Sequence, residues 1–270
     1  MFDLSFANST GSRILALLVS LAATPLLAQS QYNISVLYAF TGSAFTGNDL
    51  EGPGASLIAD AKGNFYGTAT NGSGGGVFEL SPPSNGSGPW TETVLYAFQD
   101  GADGGTPTAS LLLDSAGSLY GTASAGGSSS TFCGNYTGCG VVFQLSPPSG
   151  GTGPWTESVL YTFTGGADGL APSGNLAFDS KGNLYGATTY GGLSTICAAS
   201  QQLPGCGVVF ELTPAAGGSG PWSEQVLYTF KDGADGGYPF NLTMDSKGNL
   251  YGVANQGGKR GQGTVFRLTP

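Results

Sequence analysis

The sequence predicts an all-β protein built from four tandem copies of one unit. The phrase V-L-Y-x-F recurs at intervals of 58 to 67 residues, beginning at Val36, Val94, Val159 and Val226. Each copy holds four short segments rich in Val, Leu, Tyr and Phe, and clusters of Gly, Pro, Asn, Asp and Ser separate these segments. Beyond residue 28 the sequence lacks the periodicity of amphipathic helices. Short strands in small sheets are therefore expected throughout.

The four predicted strands follow a fixed order in each copy. An apolar stretch is the first strand, and the second begins in the phrase D-x-x-G-[NS]-x-Y-G. These phrases start at Asp60, Asp114, Asp179 and Asp245. Their Asp side chains are expected to accept backbone hydrogen bonds and their Gly to take a positive φ, as in a tight turn. The third strand reads V-F-x-L. The fourth follows P-W-[ST]-E, whose residues Trp90, Trp155 and Trp222 are predicted to serve packing.

Four small sheets that are apolar on both faces are typical of the radially stacked blades of a β-propeller. The last copy stops after its third strand, at residues 265–270, whereas residues 31–40 resemble an additional fourth strand. The sequence therefore predicts a four-bladed β-propeller of four-stranded blades whose last blade is closed by the N-terminal strand, leaving no exposed sheet edge. The alternative is an open propeller arc that is completed by another chain.

Residues 1–28 are predicted to be a signal peptide and residues 29–270 the propeller. Arg13 precedes an apolar run, Ile14 to Ala28, that ends in small residues and is shorter than a membrane-spanning helix requires. The expected location is secreted or extracellular, with the periplasm or the cell surface as alternatives. After cleavage no transmembrane segment is expected.

The four cysteines fall into two close pairs, and each pair ends in the phrase C-G-V-V-F. In an oxidising compartment we expect local disulfides between Cys133 and Cys139 and between Cys197 and Cys206. The sequence alone permits three connectivities, and free thiols are the alternative.

Composition excludes several functions. The chain has no histidine, so Ser-His-Asp and Cys-His nucleophiles and His-ligated zinc sites are excluded. Eight basic against 17 acidic residues give a net charge of −9, which disfavours nucleic acid as a partner. The acidic residues recur almost entirely in register with the repeat, and only Glu51 in the mature chain is unmatched. No carboxylate pair therefore stands out for glycoside hydrolysis.

Two sets of loop residues are candidates for a binding site. Aspartates that precede a Pro by four residues are expected to ring one mouth of the channel: Asp49, Asp103, Asp168 and Asp235. These carboxylates, with Asp100 and Asp232, are candidate ligands for a bound molecule or for Ca²⁺, the one cofactor considered. The alternative is an Asx turn repeated four times.

The loops between the second and third strands vary most in length, and the two longest carry the cysteines. Variable loops on one face often hold binding specificity. Phe132, Tyr136 and Tyr190 are candidate aromatic contacts to a sugar or peptide, and the alternative for them is packing beneath the loop.

Four linked phrases recur over residues 31–270: D-S-K-G-N-L-Y-G, G-x-V-F-x-L, P-W-[ST]-E-x-V-L-Y-x-F and G-A-D-G-x-x-P. Together they resemble the GloVer tandem repeat of exported bacterial proteins. The resemblance implies an extracellular or surface β-propeller-like module and carries no catalytic assignment. The chain ends without an anchor segment of the kind that some members carry, which favours free secretion.

The predicted function is non-enzymatic binding of extracellular carbohydrate or protein through the face that carries the disulfide loops. One alternative is a secreted polysaccharide hydrolase or lyase that uses Glu51 or the channel aspartates. The other is a structural component of the cell envelope.

Overall fold

The computed structural model describes residues 33–41, 50–71, 74–127, 133, 137–194, 197, 205–217 and 221–270. These residues form sixteen β-strands in four antiparallel sheets and contain no α-helix. The all-β propeller prediction is confirmed. Within the same residues, no helix has the length and apolar character needed to cross a membrane. The predicted signal peptide lies outside them.

Each sheet is formed by consecutive strands. The first sheet contains β1 (Glu51–Pro53), β2 (Ile58–Ala59), β3 (Phe65–Asn71), β4 (Gly76–Ser81) and β5 (Thr91–Ala97). The second contains β6 (Leu112–Leu113), β7 (Leu119–Ala123), β8 (Val141–Ser146) and β9 (Thr156–Thr162). The third contains β10 (Leu170–Phe178), β11 (Leu184–Tyr190), β12 (Val208–Thr213) and β13 (Ser223–Thr229). The fourth contains β14 (Gly237–Met244), β15 (Leu250–Gln256) and β16 (Thr264–Leu268).

The tight turns between the first and second strands are built by their aspartates, as predicted. Asp60 Oδ1 accepts hydrogen bonds from the backbone N–H of Lys62 (2.8 Å) and of Asn64 (2.9 Å). Its Oδ2 accepts from Asn64 Nδ2 (2.9 Å) and from the Tyr66 hydroxyl (3.2 Å). Gly63 has a φ of 86°, which a residue with a side chain adopts only at a cost. The repeated phrase therefore encodes a hairpin whose Tyr is tied back to its Asp.

Phenylalanines join one sheet to the next. Phe143 of the V-F-x-L strand β8 is fully buried, and Phe98, which follows β5, packs edge-to-face on it at a centroid distance of 5.0 Å. The contact recurs between Phe163 and Phe210 at 5.2 Å, and again between the third and fourth sheets. Such aromatic pairs add to the burial of apolar area. The V-L-Y-x-F phrase thus ends in the residue that binds its sheet to the following one.

The two ends of the sheets carry different connections. Gly127, in the loop after β7, donates a backbone hydrogen bond to Gly101, in the loop that joins the first two sheets (2.7 Å). We call this end, which carries the sheet-to-sheet loops and the cysteines, the loop end. The opposite end, with the Asp turns and the Gly-rich connectors before the tryptophans, is the turn end.

Both predicted local disulfides are present at the loop end. They join Cys133 to Cys139 and Cys197 to Cys206. The carbonyl oxygen of the second cysteine in each pair accepts a hydrogen bond from the next sheet, from Ala171 N–H (2.9 Å) and from Tyr238 N–H (2.8 Å). Each disulfide-bonded loop is therefore attached to the inner strand of the sheet that follows.

The ends of the chain differ from the expected arrangement. The contact pattern separates residues 1–36 from residues 37–270, and the described residues of the first unit, 33–36, are exposed and form no strand. In the second unit, residues 37–41 form no strand either, and the last sheet has three strands. The sixteenth strand arises instead because the inner edge of the first sheet is divided into β1 and β2. Closure of the ring stays a prediction.

The inner edges of the four sheets surround one small polar cavity of about 210 Å³. Its wall consists of residues 54–56, 108–110, 174, 175 and 241, so every sheet contributes. Asn175 N–H donates to Asn241 Oδ1 (3.2 Å) across the third and fourth sheets. The sheets are thus arranged around a shared axis, as in a propeller.

Candidate functional site

A groove of about 680 Å³ opens at the turn end between the first and second sheets. Tyr66 on β3 and Glu79 on β4 stand opposite each other in the strand pair and form one wall. Half-buried Trp155, just before β9, forms the other, and its ring lies 6.3 Å from that of Tyr66. We call this cavity the first groove. Its volume is in the range typical of small-molecule sites.

The aspartate turns supply the polar rim of the first groove. Lys62 and Asn64 come from the turn before β3, and Ser115 comes from the turn before β7. The carboxylate of Asp60 is occupied by the four hydrogen bonds of its turn. Burial alone would raise the pKa of Asp60, but these hydrogen bonds outweigh it and lower the pKa below its usual value. Asp60 is therefore ionised at neutral pH and holds the rim in place.

The Tyr66 hydroxyl remains protonated at physiological pH. Burial, and then the negative charge of Glu79, raise the pKa of Tyr66 to about 12. Glu79 Oε1 accepts a hydrogen bond from Ser81 Oγ (2.7 Å), which orients the carboxylate. The first groove thus combines an indole, a neutral phenol, a carboxylate and a lysine ammonium. Aromatic surfaces beside polar groups suit ligands that are apolar on one face and hydroxylated at the edge.

Related grooves occur between the later sheets, with different chemistry. The second has a volume of about 360 Å³ and contains Tyr120 and Trp222. The third, of about 280 Å³, contains Tyr185 and Glu211, and its described lining has no tryptophan. The residue opposite the tyrosine is Glu79, Gln144, Glu211 or Arg267 in the four sheets. Glu79 and Glu211 line the first and third grooves, so the repeat varies at a position that faces two of the grooves.

Those of the predicted channel-mouth aspartates that the structure describes each close their own loop. Asp103 Oδ2 accepts from Gln99 N–H (2.9 Å) and from the Tyr96 hydroxyl (3.2 Å), and its Oδ1 accepts from Gly101 N–H (3.2 Å). Asp168 accepts equivalent bonds from Thr164 and Tyr161, and Asp235 from Lys231, Gly233 and Tyr228. These contacts match the alternative of a repeated turn. Asp49 lies outside the described residues.

Calcium ligation by these aspartates gains no support from the fold. Nowhere in the described part of the chain do three or more Cys, Asp or Glu side chains gather as a metal site would require. Asp100 and Asp232 adopt positive φ angles of 55° and 54° in their loops. Asp232 Oδ1 is buried without a hydrogen-bond partner.

The structure describes one of the three aromatic residues that are predicted to contact a ligand at the disulfide loops. Phe132 and Tyr136 lie outside the described residues. Tyr190 is half-buried and packs edge-to-face on Tyr238, with ring centroids 5.4 Å apart. Its observed contact is therefore packing beneath the loop, the alternative stated for it.

Two half-buried glutamates are prominent in the structure, although their positions in the sequence follow the repeat and do not stand out. Glu157 Oε1 on β9 and Glu224 Oε1 on β13 are buried without a hydrogen-bond partner. Burial, and then the charge of Asp103, raise the pKa of Glu157 to about 7; burial and Asp168 do the same for Glu224. A raised carboxyl pKa is one requirement for a general acid. Neither glutamate lines the first groove, however, so these carboxyls belong to the packing between sheets.

The sequence predicts a packing role for the tryptophans and does not reveal the first groove. The wall pairs Tyr66 of one copy with Trp155 of the next, so the groove exists only once the sheets are stacked. The signal for the groove in the sequence is position x of V-F-x-L, which varies between copies and is Glu79, Gln144, Glu211 or Arg267.

Comparison with known families gives a match over residues 27–270. The profile of the Gloeobacter/Verrucomicrobia repeat matches residues 27–198 and again residues 134–270. No curated protein matches the chain.

Solved structures share the fold at low sequence identity. A luciferin-regenerating enzyme is 15% identical with a TM-score of 0.52, and the match covers 82% of this chain and 60% of that one. A gluconolactonase from Xanthomonas campestris is 15% identical, with a TM-score of 0.45 and coverage of 80% and 62%. A PQQ-bound aldose sugar dehydrogenase from Streptomyces coelicolor is 14% identical, with a TM-score of 0.49 and coverage of 83% and 61%. The chain spans about three fifths of the length of each. At such identity the first likeness supports the propeller fold alone.

Proposed function

Because the chain belongs to the Gloeobacter/Verrucomicrobia repeat family, we propose that it is a secreted, non-enzymatic β-propeller that binds carbohydrate in the first groove. The observation that carries the proposal is the pairing of Tyr66 with Trp155 across a groove rimmed by Lys62, Glu79 and Ser115. Indole and phenol rings offer large apolar area with a polar tip, which matches the faces and hydroxyl edges of a sugar ring.

The charge of the protein favours a neutral sugar. With 17 acidic and 8 basic residues, the protein repels polyanions such as uronic acid polymers. The groove itself contributes Glu79 and the turn aspartates against a single lysine, Lys62. The proposed ligand class is therefore a neutral oligosaccharide or polysaccharide chain.

The carboxyls whose pKa values are raised, Glu157 and Glu224, lie outside the described lining of the first groove, which favours binding over hydrolysis. Glycoside hydrolysis requires one protonated and one ionised carboxyl that flank the same bond. The pKa of Asp60 is lowered, and Glu157, whose pKa is raised, does not line the first groove. The two disulfides suit an oxidising compartment and so support secretion.

Affinity electrophoresis of residues 29–270 against neutral polysaccharides tests the proposal, with calorimetry on the oligosaccharides of any retained polymer. Trp155→Ala is expected to weaken binding at least tenfold. Trp90→Ala is the matched control, because Trp90 stacks on Phe65 of its own sheet, at 5.3 Å, and does not line the first groove. Equal retention of both variants would place binding elsewhere. Release of reducing sugar, lost in Glu51→Gln or Asp103→Asn, would favour the hydrolase instead.

A further inference from the structure

Within the residues that the structure describes, strand β16 lacks the neighbouring fourth strand that pairs with the V-F-x-L strand in each of the other sheets. In the first three sheets the V-F-x-L strand is covered by a fourth strand, and Val77, Val142 and Val209 are 0% exposed. The corresponding residue of β16, Val265, is 81% exposed. The described residues place only β15 beside β16. An uncovered strand edge with an apolar side chain is a template for another strand.

A cavity of about 210 Å³ lies beside β16. Its lining includes Tyr228, Asp235, Phe266 and Leu268. Among the described residues, the last sheet therefore presents a free edge with an open space beside Phe266 and Leu268.

Residues 37–40 have the sequence of the missing strand. The letters V-L-Y-A-F at 36–40 are identical to those at 94–98, which pair with β4 in the first sheet. Leu37 is 41% exposed, whereas Leu95 and Leu160, its counterparts in complete sheets, are 8% and 7% exposed. This segment therefore has apolar surface to bury, as β16 has.

Phe40 makes the same contact with the first sheet that Phe98, after the last strand of the first sheet, makes with the second sheet. It packs edge-to-face on Phe78 at a centroid distance of 5.1 Å and an interplanar angle of 67°. Phe98 packs on Phe143 at 5.0 Å and 62°. The first sheet thus receives Phe40 as each later sheet receives the phenylalanine that follows its predecessor's fourth strand.

We propose that β16 takes residues 37–40 of its own chain as a fourth strand, which closes the ring. The pairing of β4 with β5 sets the register, with Tyr38 opposite Val265 and Ala39 opposite Thr264. The first and last sheets already share the wall of the central cavity, since residues 54–56 and Asn241 both line it. A segment of the same chain also has a higher effective concentration than one from a second molecule.

Paired cysteines test this register. In Ala39→Cys/Thr264→Cys the two Cα atoms would be as close as opposed residues in an antiparallel pair, which suits a disulfide. Oxidation is expected to cross-link these positions within a monomer, as shown by peptide mapping. Ala39→Cys/Arg267→Cys is the out-of-register control and is expected to stay unlinked. Equal cross-linking in both, or none in the first, would overturn the register.

Mixing the two single variants distinguishes the source of the strand. If the chain supplies its own strand, Ala39→Cys and Thr264→Cys proteins give no covalent dimer, and light scattering shows a monomer. Covalent dimers from the mixture would overturn the proposal in favour of a second copy of the chain.

A charged substitution gives an independent measurement. Val265→Asp is expected to lower the melting temperature of residues 29–270 by several degrees, because a covered valine would become a buried carboxylate. Leu193→Asp is the matched control, since Leu193 is 61% exposed and lies away from β16. Equal effects of the two substitutions would mean that the β16 edge stays open to solvent. None of these measurements depends on the carbohydrate proposal.

Discussion

Phe143 lies so close over Gly121 that a Cβ on the glycine would stand 2.6 Å from the ring Cζ. The same approach occurs at Gly67, Gly186 and Gly252, each beneath the phenylalanine of its V-F-x-L strand. The glycine of the Y-G phrase is therefore required by the neighbouring strand. The ring uses the space that a side chain would fill, and this explains why Tyr-Gly and Val-Phe recur together.

Gly121→Ala is expected to destabilise the protein by about 1–3 kcal/mol, because an added methyl group in a packed core displaces its neighbours. Urea unfolding measured by fluorescence checks the value. Gly150→Ala is the control, since a Cβ at Gly150 meets no atom within 4 Å. Equal midpoints for the two variants would show that the Phe143 ring moves aside freely.

Asp179→Ala removes an acceptor that organises a whole turn. Asp179 accepts from Lys181 N–H, from Asn183 N–H and Nδ2, and from the Tyr185 hydroxyl. The expected loss is about 1–3 kcal/mol, as for removal of a hydrogen-bonded charge. Lys181→Ala should leave the free energy of unfolding unchanged, because only the backbone of Lys181 is used. A Lys181 variant as unstable as the Asp179 variant would contradict this account of the turn.

The half-buried glutamates make the stability of the protein depend on pH. The pKa of Glu157 is raised from 4.5 to about 7, so the folded state retains a proton that the unfolded state releases. This contribution to stability is full below pH 4.5 and is lost as the pH rises through about 7. Glu157→Gln is expected to melt at a higher temperature than the wild type above pH 7 and to show a flatter profile. Glu51→Gln, on β1, should follow the wild-type profile, and an unchanged slope in Glu157→Gln would refute the assignment.

The turn aspartates change the stability of the protein with pH in the opposite direction to Glu157. Burial would raise the pKa of Asp179, but the hydrogen bonds of its turn outweigh burial and lower the pKa below 3.8. Their contribution is present above that value and is lost as the pH falls through the lowered pKa. Together with Glu157, this predicts greatest stability in mildly acidic solution. A melting profile measured from acidic to alkaline pH checks it, and a maximum on the alkaline side would contradict it.

Removing a disulfide tests whether carbohydrate binds at the loop end or at the turn end. Cys197→Ala/Cys206→Ala is expected to lose about 2–3 kcal/mol of stability, since the bridge closes a short loop. Carbohydrate affinity should be unchanged at temperatures where the variant is folded, because the first groove lies at the turn end. Lost affinity in a folded variant would instead return the binding site to the disulfide loops, where the sequence analysis placed it.

The repeat made most local structure predictable. The phrase D-x-x-G-N-L-Y-G encodes its hairpin through contacts within seven residues, and the cysteine pairs are close in sequence. Residues brought together from different copies were not predictable in the same way. The first groove joins Tyr66 to Trp155, and the pKa of Glu157 is raised by burial between sheets and then by Asp103 from the loop before its sheet. Such pairs are set by how the sheets stack, which the repeat pattern does not encode.

The phenylalanine contacts between sheets couple the stability of neighbours. Each sheet holds the next through pairs such as Phe163 with Phe210, so the free energy of the array is close to a sum of sheet and nearest-neighbour terms. In a linear array the terminal sheets have one neighbour and fray first. A strand that joins the two ends turns the array into a cycle, in which opening any sheet breaks two couplings. A few residues near the start of the chain would then determine whether the protein unfolds in steps or all at once.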